Sequence, residues 1–417
     1  MKKKGLLTAA MAAVMTAGAA MTALAGWEMQ NGEWYYYKDS NHEMVTEDWA
    51  KSGDFWYYLG DDGKMMTSTF IDETYYVDAN GAMSTNCWQY IAEDEWDEEP
   101  AWRYFTSNGR VYKDGIRQIN GYYYHFEDTK MSTGWVEVED NTYYFKEDGS
   151  MATGWRWLPE NEEDAWRECW YYFGSNGKMT KSAERTIDGV KYVFDEYGRM
   201  QTGWVNMTDF TSTGMDNLTE TEIGNLKFFN ESGAAVNGWA YLESSDDYEA
   251  HYYYFKDGEA YSSTNKTKEL NGYGLAKIND AYYCFDEEGH MVTGMVESGT
   301  GPMYFDPENG KMRTGRVTIY DDEYYGEVFY FKENGGVGTR GIGVTGVHDD
   351  YLYNNGQAVC AEEGLRYEKV TVEGKDYVVN ENGKIKTKGT AKNTEGLKYT
   401  ITKNSEGGYT ITEEWDD

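Results

Sequence analysis

Residues 134–155 read GWVEVEDNTYYFKEDGSMATGW, and this segment contains one complete copy of the unit that repeats along the chain. It opens on a Gly-Trp pair, carries an aromatic run that begins at Tyr143, turns at Asp148-Gly149, reaches Met151 and closes on the next Gly-Trp pair. An aromatic run, an Asp-Gly turn and a short strand bearing methionine are typical of a β-hairpin, because glycine supplies the positive φ of such turns. The stretch is therefore one repeat of a hairpin-based fold.

Copies of this unit recur along the chain. The first two open at Trp27 and Trp49, 22 residues apart, and the glycine-x-methionine turn returns at Met83, Met179, Met200, Met291 and Met312. A single hairpin is marginally stable in water, so each one has to bury its tyrosine and methionine face against the next. We therefore expect an all-β protein, an elongated β-solenoid of about fifteen tandem β-hairpin repeats, with the regular repeats across residues 26–360.

The two ends of the chain differ from the repeats. Residues 1–25 begin with three lysines, continue as an apolar run and end at Ala25, which predicts a secretory signal peptide that is cleaved there. After cleavage we expect no transmembrane segment, since the remaining sequence is polar throughout. From Gly364 onward, aromatic runs give way to Thr, Lys and Val. Residues 361–417 are therefore predicted to form a degenerate repeat or C-terminal β cap.

Composition narrows the range of partners. The chain has 38 basic and 73 acidic residues, a formal net charge of -35 at pH 7. Nucleic acid is excluded as a partner because phosphate binding needs a positive field. The acidic balance favours cationic ligands, quaternary ammonium groups included, although it also serves solubility alone. The four cysteines never fall in neighbouring repeats, so we expect free thiols at Cys87, Cys169, Cys284 and Cys360.

Polar insertions interrupt the repeats at four places. Such loops either add binding specificity on one face of a solenoid or act as spacers. They are residues 92–102, 159–166, 206–224 and 243–249.

The complete motif is Gly-Trp, then seven residues later the Trp of a Trp-Tyr-Tyr run, then Gly-x-Met-x-Thr-Gly-Trp. It is similar to the cell-wall-binding repeat of choline-binding proteins over residues 26–335. Related repeats occur in glucan-binding domains of streptococcal glucosyltransferases and in receptor-binding repeats of large clostridial toxins. The resemblance implies a Gram-positive surface protein, secreted and associated with the cell wall through choline-decorated teichoic acid or another glycan.

The resemblance also implies where ligands bind. In choline-binding relatives the ligand lies between consecutive hairpins, held by two tryptophans of one unit, an aromatic of the next and often a methionine. A quaternary ammonium over a tryptophan face gains about 0.5–2 kcal/mol per ring, and the same rings can stack on a sugar. Carried over to this chain, the two ligand-binding sets are Trp27 and Trp34 with Tyr58 and Met65, and Trp49 and Trp56 with Tyr76 and Met83.

Later units depart from the choline pattern. The position of Trp34 is held by Thr142 in the unit that Trp135 opens, and insertions separate Trp155 and Trp204 from their hairpins. Most later units are therefore either structural or suited to carbohydrate, so the choice between choline and sugar stays open.

No sign of catalysis or metal binding accompanies the repeats. No gap between them reaches the roughly 100 residues of a catalytic domain, and the five histidines lack zinc-ligand spacing. We expect no enzyme activity, no cofactor and no metal. The leading hypothesis is attachment to the cell wall through many weak sites; the alternatives are a secreted lectin or adhesin for glucan or host glycans, an enzyme that degrades peptidoglycan, and a scaffold without a ligand.

Overall fold

The computed structural model describes residues 26–38, 42–91, 100–160, 167–213, 224–243, 250–320, 323–405 and 407–415. This part of the chain consists of β-strands and turns, with no helix and so no helix that could cross a membrane. The prediction of an all-β chain of hairpins is confirmed. The predicted signal peptide lies outside the described residues. Contacts divide the chain into two compact units, Met1–Thr180 and Lys181–Asp417, a division that the sequence did not indicate.

The described residues of the first unit form seven antiparallel hairpins, the fifth with an added third strand. The strands are β1 Trp27–Gln30, β2 Glu33–Tyr36, β3 Asp48–Ser52, β4 Phe55–Leu59, β5 Thr69–Ile71, β6 Tyr75–Val77, β7 Cys87–Ile91, β8 Ala101–Phe105, β9 Gly115–Ile119, β10 Tyr122–Glu127, β11 Lys130–Met131, β12 Gly134–Val138, β13 Asn141–Phe145, β14 Gly154–Pro159 and β15 Glu168–Phe173.

The second unit repeats the arrangement, with several hairpins widened to three or more strands. Its strands are β16 Ala183–Ile187, β17 Val190–Phe194, β18 Gly203–Asn206, β19 Thr211–Ser212, β20 Leu226–Phe229, β21 Gly238–Glu243, β22 Ala250–Lys256, β23 Glu259–Ala260, β24 Lys268–Leu270, β25 Tyr273–Ile278, β26 Ala281–Phe285, β27 Met291–Val292, β28 Gly294–Glu297, β29 Pro302–Phe305, β30 Gly315–Ile319, β31 Glu327–Phe331, β32 Gly346–His348, β33 Tyr351–Asn354, β34 Gln357–Ala358, β35 Tyr367–Val372, β36 Lys375–Asn380, β37 Gly389–Lys392, β38 Leu397–Lys403 and β39 Tyr409–Trp415.

The repeat quoted first shows how one unit is built. Gly134 pairs with Phe145 across the hairpin, and Phe145 also bridges Met151 beyond the turn. The turn is stabilised by the Asp148 carboxylate, which accepts the backbone N–H of Ser150 at 2.9 Å. In this repeat a short segment bearing methionine therefore lies along the second strand of the hairpin.

Consecutive repeats are joined through the backbone. The N–H of Met151 donates to the carbonyl of Tyr123 in the preceding hairpin at 2.8 Å. Because this bond involves only main-chain atoms, it recurs whatever side chains are present. The same bond joins Met65 to Trp34, Met83 to Trp56, Val111 to Thr74, Met179 to Thr142, Ala235 to Lys191, Met312 to Tyr282, Gly343 to Pro302 and Ile385 to Asp350.

The methionines serve a packing role at the same joints. A Cβ atom built on Gly149 would lie 2.1 Å from the sulfur of Met131, so the side chain of one repeat fills the space above the turn glycine of the next. We call this contact the methionine–glycine joint. It recurs as Met44 on Gly63, Met65 on Gly81, Met83 on Gly109, Met151 on Gly177, Met200 on Gly233, Met291 on Gly310 and Met312 on Gly341.

Within each unit the core is divided into small clusters between neighbouring hairpins. One of them joins Tyr76 of the third hairpin to Ile91, Phe105 and Val111 of the fourth repeat. This is the nearest-neighbour packing expected of tandem hairpins. The elongated shape of a solenoid stays a prediction.

The C-terminal segment continues the repeat before it changes. Strands β35 and β36 form a hairpin whose Val379 bridges Ile385, and the N–H of Ile385 donates to the carbonyl of Asp350 at 2.9 Å. Ile385 thus stands where earlier repeats have methionine. Strands β37, β38 and β39 then form a three-stranded sheet. The domain boundary at residue 360 stays a prediction.

Cys87, Cys284 and Cys360 are free, as the spacing predicted. Burial raises the pKa of the Cys284 thiol to about 12. This thiol is therefore protonated and unreactive at neutral pH.

Candidate ligand-binding site

A recurrent set of three aromatic rings lies at the joints between hairpins. In the sixth hairpin, the Trp135 ring meets Tyr144 across the hairpin at 5.1 Å and Tyr171 of the next hairpin at 4.9 Å, between ring centroids. Both contacts are edge-to-face, the geometry that aromatic pairs favour. We call such a set of three an aromatic cage.

Cages of this kind recur along the described residues, and the six given below have centroid separations of 4.7 to 5.6 Å. They are Trp27–Tyr36–Tyr57, Trp49–Tyr58–Tyr75, Trp88–Tyr104–Tyr124, Trp135–Tyr144–Tyr171, Trp204–Phe228–Tyr253 and Trp239–Tyr254–Tyr283.

The first predicted set is only partly assembled. Trp27 and Trp34 meet edge-to-face at 6.4 Å, as expected. The ring from the next hairpin is Tyr57 and not Tyr58, which contacts Trp49 instead. Tyr58 does not meet Trp27 because adjacent residues of a strand face opposite ways, and its contact with a ligand stays a prediction. Trp27 is only 4% exposed, so this cage is closed to solvent.

The second predicted set is likewise only partly assembled. Trp49 meets Tyr58 at 5.2 Å and Tyr75 at 5.5 Å, whereas Tyr76 is buried against Phe70 in the core. Unlike the first cage, this one is open, since Trp49, Tyr58 and Tyr75 are all half-buried.

Trp56 lies beside this cage on the surface. Its side chain is 41% exposed, and the ammonium group of Lys51 lies 5.9 Å from its ring centroid. The ring therefore already holds a cation on an open face. Contact of Trp56 with a ligand stays a prediction.

Met65 and Met83 have a structural role at these joints. Both are half-buried and pack on the turn glycines Gly81 and Gly109 of the following repeats. Met65 also packs against the buried cluster around Trp27. Their contact with a ligand stays a prediction.

The second cage lies in a negative field. Burial raises the pKa of the Tyr58 hydroxyl, and the carboxylates of Asp72, Glu47 and Asp48 raise it further. The groups that disfavour a tyrosinate anion would stabilise a cation at the same place. Three ring faces and nearby carboxylates are the chemistry that suits a quaternary ammonium group.

Sequence reasoning missed one pair of tryptophans. Trp155 and Trp170 meet at 6.3 Å with an interplanar angle of 89°, which reproduces the Trp27–Trp34 geometry of 6.4 Å and 90°. In the sequence, the insertion at residues 159–166 connects the two strands of this hairpin, and it does not separate the pair. The match between Trp170 and Trp34 can be found in the sequence by counting back from the end of the aromatic run Trp170-Tyr171-Tyr172-Phe173.

One joint replaces the aromatic cage with charges. Glu184 occupies the first-strand position held elsewhere by tryptophan, and Lys227 the position of the ring from the next hairpin. The two side chains form an ion pair at 2.6 Å, and Lys191 lies 3.5 Å from the same carboxylate. This joint offers no ring face to a ligand.

Other candidate features lie outside the cages. Two open grooves of about 700 and 560 Å³ flank the fifth hairpin, and the second of these reaches Trp135. Asp286, Glu288 and His290 hold potential metal-ligand atoms within 4.8 Å of one another in the second unit. Since Asp286 already bonds to the His290 ring at 3.0 Å, the cluster satisfies itself in part. The absence of a metal site stays a prediction.

Comparison with known proteins finds similar repeats in parts of the chain. Residues 43–83, 132–163 and 273–316 match families described as choline-binding repeats, and residues 167–179 match the cell wall binding repeat. Glucosyltransferase-I of Streptococcus downei is 23% identical over 365 residues, covering 73% of this chain and 20% of that protein. Glucosyltransferase-S of Streptococcus mutans serotype c is 24% identical over 294 residues, covering 69% and 17%. The chain thus spans about a fifth of the length of these relatives.

Solved structures from Streptococcus pneumoniae are also similar. The modular autolysin LytC matches with 16% identity and a TM-score of 0.38, covering 70% of this chain and 53% of that one. Choline binding protein F matches with 20% identity and a TM-score of 0.27, covering 81% and 99%.

Proposed function

Because several segments of this chain are choline-binding repeats, we propose that it is a secreted, non-catalytic protein that attaches to the bacterial cell wall. The proposed ligand is a polymer bearing choline or a similar quaternary ammonium group, such as choline-decorated teichoic acid. The polymer is held by aromatic cages that lie between consecutive hairpins.

The open cage Trp49–Tyr58–Tyr75 carries this proposal. Its rings are half-buried, so a small cation can reach them without unfolding the joint. The surrounding carboxylates contribute the charge that a cationic headgroup needs, and each ring adds about 0.5–2 kcal/mol of cation–π attraction. By the same reasoning the closed cage at Trp27 contributes to stability and not to binding.

Several weak cages on one chain act together. A polymer that presents many headgroups converts later contacts into intramolecular ones, which raises avidity far above the affinity of one cage. Attachment would then be firm although free choline, at sufficient concentration, displaces it.

Binding to isolated, choline-decorated cell walls tests the proposal. The wild-type protein should bind and be eluted by choline, and Trp49→Ala should bind more weakly. Phe55→Ala is the matched control, because Phe55 is exposed on the same hairpin but belongs to no cage. Binding that is indifferent to choline, or equal weakening by Phe55→Ala, would contradict the proposal.

A secreted lectin or adhesin for glucan or host glycans is the second candidate. The similarity to two glucosyltransferases over most of this chain favours it. A glycan array on which the protein binds glucan, together with failure to bind walls, would support this candidate over the first. Zymography on purified walls, where we expect no clearing, tests the non-catalytic part of the proposal.

A further inference from the structure

Three hairpins carry a second kind of aromatic contact near their tips. In each, two rings face each other across the strands, two residues further from the base than the first-strand tryptophan, which is Trp88, Trp155 or Trp239. We call these contacts tip pairs. They are Tyr90–Trp102 at 5.1 Å, Trp157–Trp170 at 5.4 Å and Tyr241–Tyr252 at 4.6 Å between centroids.

The tip pairs are exposed. Their first-strand rings, Tyr90, Trp157 and Tyr241, are 58%, 49% and 60% exposed. Exposed aromatic side chains in contact with each other mark a surface for binding, since a monomer gains little by leaving them in water. None of these three rings belongs to a cage.

The positions of the tip pairs follow a rule. Counted from Trp27, they lie on the fourth, seventh and tenth hairpins, which is every third one. In the sequence, acidic segments connect the two strands of these hairpins, at residues 92–99, 161–166 and 244–249. The thirteenth hairpin also exposes two contacting rings, Tyr320 and Tyr325.

Shorter hairpins lack the pairing. The equivalent cross-strand partners are Lys51 with Trp56 in the second hairpin and Glu137 with Thr142 in the sixth. An insertion between the strands does not by itself produce a tip pair. The ninth hairpin contains the insertion at residues 206–224, yet Asn206 lies opposite Leu226 at the equivalent position. The tip pairs are therefore a feature of their own and not a consequence of hairpin length.

The geometry distinguishes tip pairs from cages. The two rings are tilted by 41° to 59°, and no ring of the described part of the neighbouring hairpin contacts them. A cage brings three rings together at a joint, whereas two exposed rings form a shallow apolar strip. In one pair the indole N–H of Trp157 donates to the Glu168 carboxylate at 2.9 Å, so a hydrogen-bond acceptor for hydroxyl groups lies beside the rings.

Size and charge exclude other partners. A stable protein interface buries about 800 Å² on each partner, far more than two side chains provide. An anionic polymer would be repelled by the acidic segments that connect the strands of these hairpins in the sequence. An uncharged sugar ring has an apolar C–H face for the aromatic strip and hydroxyl groups for the carboxylates.

We propose that the tip pairs bind pyranose rings of an uncharged glucan, separately from the cages. One pair holds a sugar weakly, and repetition along the chain suits a ligand that is itself a repeating polymer. The protein would then hold two chemically different ligands, a cationic headgroup at the cages and a neutral glycan at the tips.

Titration of the full chain with glucan hexamers tests this inference, using maltohexaose, cellohexaose and isomaltohexaose and following tryptophan fluorescence. At least one hexamer should bind the wild type. The triple variant Tyr90→Ala, Trp157→Ala, Tyr241→Ala should bind it about tenfold more weakly. Tyr122→Ala is the control, because Tyr122 is 61% exposed but belongs to no tip pair.

Two further measurements test the inference: glucan binding in saturating choline and acrylamide quenching of tryptophan fluorescence. Saturating choline should leave glucan binding unchanged; loss of glucan binding in choline would place the sugar in the cages and overturn the inference. Glucan should also protect exposed tryptophan of the wild type from acrylamide quenching, a measurement that needs no variant to fold. The inference would be overturned if none of the hexamers bound. It would also be overturned if the triple variant bound the glucan as well as the wild type and differed from it only in a lower melting temperature. Failure to bind walls would not affect it.

Discussion

Replacing Gly149 by alanine tests the methionine–glycine joint. Gly149 has φ of 77°, and a left-handed backbone costs an alanine about 1–2 kcal/mol. Its new Cβ would also lie 2.1 Å from the Met131 sulfur, and overpacking of this kind costs about 1–3 kcal/mol. We therefore expect a loss of about 2–5 kcal/mol in the free energy of unfolding.

Gly134→Ala separates the two contributions. Gly134 has φ of 82° in the same repeat, but a Cβ atom there meets nothing within 4 Å. Urea unfolding of both variants, followed by tryptophan fluorescence and by hydrogen exchange of the sixth hairpin, should show Gly149→Ala to be less stable than Gly134→Ala by about 1–3 kcal/mol. Shortening the neighbour with Met131→Ala should make the added methyl group less costly. Equal losses for the two glycine variants would refute the packing role of methionine.

Three other predictions concern charge and protonation. Glu184→Gln should destabilise the second unit by about 1–2 kcal/mol, because Lys227 is only 15% exposed and loses its nearest carboxylate. The loss of stability should be smaller in 1 M salt. A loss that does not change with salt would contradict the role of this ion pair. Cys284 should resist alkylation at pH 8 in the folded protein while exposed Cys360 reacts, and peptide mass spectrometry that finds native Cys284 modified would contradict its burial. Burial lowers the pKa of His125 below its ordinary value of 6.5, so the unfolded chain takes up this proton first and stability falls as pH drops below 6.5. His125→Gln should flatten the dependence of unfolding free energy on pH between about 7 and 5. An unchanged slope would mean that other titratable groups cause the pH dependence.

The repeating unit could be predicted from the sequence because its signals are local. The Asp148-Gly149 turn and the aromatic run at Tyr143 specify a hairpin without reference to distant residues. Free cysteines followed from the same reasoning, since sulfurs in remote repeats cannot meet. The division after Thr180 has no such local signal.

The register between hairpins was the part that sequence could not supply. Tyr57 and Tyr58 are equally aromatic, and only the pairing of neighbouring repeats decides which one faces Trp27. That pairing is fixed by the bond from the Met65 N–H to the Trp34 carbonyl, which involves backbone atoms and leaves no trace in residue types. The packing of methionine on the turn glycine of the next repeat could not be predicted from the sequence either, because it depends on contact between two repeats in space. The sequence suggested only that methionine lies beside a ligand.

The most direct test is a crystal structure of the protein grown with choline. We expect a trimethylammonium group against the rings of Trp49, Tyr58 and Tyr75, and none in the closed cage at Trp27. Choline bound only at another place, with none in contact with those three rings, would contradict the proposed site.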